Sequence, residues 1–384
     1  MKILRKIWAR QRLFSTIFVC LLTVLVISFS LSTVLVPYAM ATEDSWATMA
    51  EIPTARAGLG VAVVNGKIYA IGGSTDHQLD NNEEYDPATD SWTTKTSMPI
   101  QRHRFAIAVV QNKIYVIGGE IPGNYYSGNQ VYDPATDTWE TKTSMSTARA
   151  DLCASVVNDK IYVIGGGYQI IWPRPSNVTE VYDPETDTWT TLASMPTAVY
   201  GCVSAVVNNK IYVLDSNPWG GSGVVFQIYD PETDSWSYGK DIPTAVVHPA
   251  AAATTGVFAP KRIHILGTNT HQVYDPERDV WSNATIMPTP RKELGVAVIH
   301  DTLYAIGGGF PESGVNYESQ NANEQYTPSG YIPEFPDTTP PFPTTLILAT
   351  IVVIAVVGAA LLVYFVKIRK TTGEGEKVTP EGVM

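Results

Sequence analysis

Tryptophan returns at positions 46, 92, 139, 189, 236 and 281, every 45 to 50 residues, and tyrosine keeps nearly the same beat at 85, 132, 182, 229, 274 and 326. A fixed period of this length means one supersecondary unit written repeatedly. Each copy reads, in order, a small or apolar run such as GVAVV, then KIYAIGG or KIYVIGG, then YDPATDSW or a close variant, and typically a Met-Pro step into the next copy. Inside a copy the period is 2 rather than 3.6. In Lys67-Ile68-Tyr69-Ala70-Ile71 the β-branched and aromatic residues suit a buried, pleated strand. Asp-Pro-x-Thr-Asp between Tyr and Trp is a turn, because Pro presets φ and the flanking Asp bonds nearby backbone N–H groups.

Each copy is therefore expected to be a four-stranded antiparallel meander, with Gly-Gly ending the second strand where backbones crowd. One such sheet has too little partner surface to bury both faces, and a ring of blades supplies it while leaving only short edges. The register supports closure. Five tyrosines are followed seven residues later by a tryptophan, whereas Trp46 has no Tyr before it and Tyr326 has no Trp after it. The two ends are complementary halves of one blade. The sequence predicts an all-β, six-bladed propeller closed by its N-terminal strand.

A Gly-Gly doublet followed by a Tyr and, several residues later, a Trp resembles the kelch repeat, over about residues 43 to 328. Blades four and five depart from the pattern. Asp215-Ser216 and Gly267-Thr268 stand where the others have Gly-Gly, and about five extra residues lie around Ala250 to Lys261. These two blades are where a bespoke surface is expected.

The ends of the chain bear on its compartment. Five basic residues within the first 12 precede the uncharged run Leu13 to Val36, and Ala39-Met40-Ala41 gives A-x-A spacing. Residues 1–41 read as a signal peptide or an uncleaved signal anchor. After a propeller over 42–330, a Pro-rich stalk covers 331–345, and the uncharged run 346–366 ahead of Lys367, Arg369 and Lys370 reads as a transmembrane helix with a cytoplasmic tail, 367–384. Both readings of the N-terminus put the propeller outside the cell membrane, tethered by the C-terminal helix. Pro333-Glu334-Phe335 ahead of that run resembles C-terminal sorting signals of archaeal surface proteins. Thr42 to Pro343 carries 17 Lys and Arg against 34 Asp and Glu, a net charge of −17, which argues against a nucleic-acid partner.

Arg56, Arg102, Arg149 and Arg291 each lie 11 residues before the second strand, at Lys67, Lys113, Lys160 and Thr302, so they are equivalent around one ring. In kelch domains that bind acidic peptides, arginines at this step line the channel mouth, and the resemblance implies that role here, with Tyr200 and His248 close by where Val199 and Val246 replace arginine. The alternative is that each arginine bonds carbonyls or acids of its own blade. The repeated Trp and Tyr read as core. Asp-x-x-x-Asp offers two carboxylates where calcium takes about six to eight oxygens, so it reads as a turn. Cys153 and Cys202, on innermost strands of neighbouring blades and of opposite parity, are either two buried thiols or a pair facing across the blade interface. Asn177 and Asn283 head acceptor sequons for glycosylation.

Six scattered histidines show no metal-ligand spacing, and neither a Ser-His-Asp arrangement nor a phosphate loop is recognisable; no cofactor or metal is expected. The expected function is a cell-surface binding module for an extracellular protein or glycan. The alternative is a carbohydrate-active enzyme of kelch-propeller type, a sugar mutarotase or epimerase or a galactose-oxidase-like protein. Three or more His, Tyr or acidic side chains converging within about 4 Å at the channel mouth would favour turnover; arginines with aromatics alone would favour binding.

Overall fold

The computed structural model describes residues 42–168, 174–215, 225–311 and 317–332. The segments read as signal, membrane span and tail, and the stalk beyond residue 332, lie outside the described residues. Among the described residues no helix is long and apolar enough to cross a membrane.

Six four-stranded antiparallel sheets follow one another. Blade one runs Gly60–Val64, Lys67–Ile71, Asn82–Asp86 and Ser91–Thr94, from the innermost strand outward. Blades two to five repeat that order from Ala106–Val110, Cys153–Val157, Val203–Val207 and Ala250–Ala253. Blade six takes Gly295–Ile299, Thr302–Ile306 and Asn323–Thr327 from the end of the chain and Ser45–Thr48 from its beginning. The closing pair sets Trp46 opposite Tyr326, the register that joins Tyr85 to Trp92 in blade one. The innermost strands touch in sequence and the sixth touches the first, so the ring is shut.

Six apolar clusters hold the ring, one per joint between blades. Between blades two and three, for example, Ala106, Tyr115 and Leu152 pack with Ile161, Val163 and Tyr182. Apolar burial alone leaves the sheets free to slide, and the YDPxTDxW turn removes that freedom. In blade two Tyr132 donates to Asp137 Oδ1 at 2.6 Å, the same oxygen accepts Thr96 N–H from the preceding blade's last connection, and Trp139 Nε1 donates to Thr96 C=O at 2.9 Å. One residue of the preceding blade is thus held by both its backbone groups. Blades one, three, four and six repeat the clasp on Ala50, Thr143, Ala193 and Thr285. Burial chiefly, with the Asp partner, raises each of these tyrosines above its ordinary range.

The Gly-Gly doublets crowd for a definite reason. A side chain on Gly72, which has φ of 56°, would meet Arg102 C=O at 2.6 Å, and Gly73 N–H donates to that carbonyl at 3.0 Å. The doublet is where the next blade's arginine backbone docks. The extra residues of blade five fold around one carboxylate: Asp301 accepts the N–H groups of Thr255, Val257, Phe258 and Ala259.

Candidate functional site

The four recurrent arginines do not line a channel mouth. All are fully buried, each within its own blade. Arg56 reaches Glu83 at 2.6 Å and Ala70 C=O at 2.9 Å. Arg149 reaches Glu180 at 2.5 Å and Gly165 C=O, and Arg291 reaches Glu324 and Ala305 C=O in the same way. Arg102 has the neutral Gln130 at 2.7 Å instead of a carboxylate, with the rings of Phe105 and Tyr126 about the guanidinium. Burial pushes Arg102 down to about 10. The anion site that the resemblance implied is therefore replaced by intrablade pairing, because a guanidinium out of water needs its own carboxylate or carbonyls.

The partner position lies two residues before the repeat tyrosine: Glu83, Gln130, Glu180, Gln227, Gln272 and Glu324. Where valine replaces arginine, at 199 and 246, the partner is glutamine and clasps backbone. Gln227 spans the N–H and C=O of Thr197, and Gln272 those of Thr244.

What faces the channel is the residue two places after the arginine position: Gly58, Arg104, Asp151, Gly201, His248 and Glu293. All six have positive φ, between 45° and 70°. Hydrogen bonds link their backbones into a belt from blade to blade at five joints: Arg104 N–H donates to Gly58 C=O at 2.8 Å, Asp151 to Arg104, Gly201 to Asp151, Glu293 to His248 and Gly58 to Glu293. The left-handed turn aims each of these side chains inward. Two glycines adopt it freely, whereas Arg104, His248 and Glu293 do so at about 1 kcal/mol or more each. Such strain in non-glycine residues collects at functional sites.

The belt edges a cavity of about 280 Å³ between the innermost strands, whose walls include Leu59, Phe105, Leu152, Cys202 and Leu294. Arg104 is the hub. It donates to Glu293 at 2.8 Å and lies 3.8 Å from Asp151 and 4.0 Å from Glu120. His248 lies 3.8 Å from Glu293, and His103 lies 3.7 Å from Glu120. Tyr200 lies beside Asp151, and Tyr125 beside Tyr200. One oxygen of Asp151, Oδ2, is buried without a partner.

The environment separates the two belt carboxylates. Burial raises Asp151 above the usual aspartate range despite Arg104 and Tyr200. Burial also acts to raise Glu293, but Arg104 and His248 outweigh it and hold the group below its ordinary value. Burial lowers both histidines, His103 to about 4, so they are neutral at pH 7. Arg104 is pushed the other way, its own burial being outweighed by Asp151 and Glu293. One guanidinium thus faces three carboxylates, which makes the mouth acidic, the opposite of the expected anion trap.

Of the residues singled out from sequence, Tyr200 and His248 are in this cluster and Arg56, Arg102, Arg149 and Arg291 are not. Arg104, Asp151, Glu293, Glu120, His103 and Tyr125 were not anticipated. The signal was the irregular position beside the regular one. Asn177 is exposed in the connection into the third strand of blade three, and Asn283 at the end of the outermost strand of blade five. Two further histidines meet inside the ring: His264 Nδ1 lies 3.0 Å from His271 Nε2, and His271 Nδ1 donates to Thr285 C=O.

Residues 35–221 match the family described as the KLHDC2/KLHL20/DRC7 kelch-repeats domain. Among solved structures, the structure of YjhT superposes with a TM-score of 0.61 at 15% identity, covering 72% of this chain and 96% of that one. No curated protein matches the sequence. Six copies in register and the Trp46–Tyr326 closure make the described residues a six-bladed propeller, and its repeats over residues 35–221 match a kelch-repeats domain.

Proposed function

We propose that this protein is a cell-surface binding module, secreted by its N-terminal segment, tethered through the span 346–366, and holding a hydroxyl-rich ligand such as a terminal sugar unit of a glycan at its channel mouth. Tethering is supported by the two uncharged apolar runs and their basic flanks. The ligand class is supported by the Arg104 cluster. A cavity of about 280 Å³ suits one sugar-sized group. Its rim alternates carboxylate acceptors with guanidinium and phenol donors, which match neighbouring hydroxyls. Its net negative charge disfavours an acidic peptide.

The observation that carries the reading is the convergence of Arg104, Asp151 and Glu293 from three blades onto one mouth. A glycan and protein array probed with residues 42–332 tests it. Capture of a defined set of glycans, lost in Asp151→Asn and Glu293→Gln propellers that melt normally, is expected. Capture unchanged in both variants would refute this site.

A second reading is turnover, because the cluster meets the convergence criterion for it. A carboxyl held toward its protonated form (Asp151) and one held ionised (Glu293) at the same mouth are a general acid and a general base. This supports a sugar mutarotase or epimerase, moving protons at an anomeric or ring position. NMR exchange between anomers of candidate reducing sugars separates the readings. Accelerated exchange that disappears in Glu293→Gln would make the module an enzyme, and exchange at the solvent rate would leave it a binder.

A further inference from the structure

We propose that Cys153 and Cys202 are joined in the mature protein by a disulfide that staples blade three to blade four. Cys153 opens the innermost strand of blade three, and Cys202 immediately precedes that of blade four. Their Sγ atoms lie 3.0 Å apart. Closing to the bond length of about 2.05 Å takes a shift of about 1 Å, within the reach of small side-chain rotations.

The surroundings favour the bond over two thiols. Both S–H groups lie near Ile164 C=O, at 3.8 and 3.4 Å, and Cys202 has Asp151 C=O at 4.0 Å besides, so oxidation gives up only long, weak hydrogen bonds. Gly165 makes room, since a side chain there would come within 3.1 Å of Cys202 Sγ. The joint also has a use for a covalent tie. Blade four carries Val199 and Gln227 where blade three has the buried Arg149–Glu180 pair, and Val199 belongs with Met195 and Ile211 to the apolar cluster at this joint.

The chemistry is thiol–disulfide exchange. Cys153–SH and Cys202–SH pass two electrons and two protons to an external disulfide, R–S–S–R, giving the protein disulfide and two R–SH. Burial raises the Cys202 thiol well above its ordinary range, so the thiolate forms before blades three and four dock. Once docked, both residues are buried. An extracellular location supplies the oxidising side of the exchange.

The test uses the full chain, secreted with its N-terminal segment and purified without reductant. It is denatured and alkylated with iodoacetamide before or after reduction, and its peptides are mapped by mass. A linked pair of peptides bearing Cys153 and Cys202, two hydrogen masses lighter than their sum, is expected. Bridging a 49-residue separation, the bond should also raise Tm by about 5–10 °C over the reduced protein. A Cys153→Ser/Cys202→Ser variant should melt at the reduced value and ignore reductant. Alkyl groups on both residues without prior reduction would overturn the proposal, and this readout on the wild-type chain stands even if the variant fails to fold.

Discussion

The arginine position of each repeat (56, 102, 149, 199, 246, 291) and the position two residues later (58, 104, 151, 201, 248, 293) are carried by the same step of chain, yet they end in opposite environments. The first is nearly uniform and sealed inside its blade, bonded to the second and third strands. The second varies from blade to blade, is turned into the channel by a positive φ, and meets its equivalents from other blades. Every blade must satisfy the same internal packing, so the packing residue recurs. A ligand meets the ring once, from one side, so the residues that meet it differ. In a ring of repeats, recurrence marks construction and variation marks the site.

The largest expected effect tests the first position. Arg149→Val leaves Glu180 buried without its cation and is expected to cost about 3–5 kcal/mol. Adding Glu180→Gln copies the Val199–Gln227 arrangement of blade four and should recover more than half of that loss, read as urea midpoints of the single and double variants. If the double variant is no more stable than the single, the valine–glutamine blades are held by something other than this exchange.

Blade five, without the arginine, joins blade six through neutral imidazoles. Burial pushes His271 down to about 4, against about 6.5 unfolded. Its folded pKa is the lower one, so the unfolded chain takes up the proton first. The stability is complete above pH 6.5 and is lost as pH falls toward 4, by about 3 kcal/mol. Urea midpoints at pH 7, 5.5 and 4.5 should show this fall, and it should flatten in a His264→Leu/His271→Leu variant. An unchanged slope would assign acid sensitivity to the carboxylates.

How much of this the sequence disclosed follows from the same contrast. The blade count, the ring closure through Trp46 and Tyr326, and the crowding at Gly-Gly were legible because each is periodic. The Asp of YDPxTDxW was legible as a turn, but not as a clasp on Ala50 or Thr143, because which backbone lies beside a turn is a property of the closed ring. The buried Arg–Glu pairs had a readable trace, Glu or Gln two residues before each tyrosine changing with the arginine. The arginines were instead expected at the rim because the comparison ran along one position only. Arg104, Asp151 and Glu293 look like unrelated loop residues until the left-handed turn is known to point them at one axis.

The smallest expected effect on stability is the most direct challenge to the comparison. His248 occupies the left-handed conformation that Gly58 and Gly201 adopt without strain, and its nearest charged partner, Glu293, is 3.8 Å away. His248→Gly therefore removes a strained side chain and one weak contact, and stability should change by less than about 1 kcal/mol. Ligand capture, or anomer exchange if the protein is an enzyme, should still weaken, because the mouth loses the imidazole that lies 3.8 Å from Glu293. A loss of stability approaching that of Arg149→Val, with capture intact, would mean that the belt is built for the ring and that the two positions do the same work.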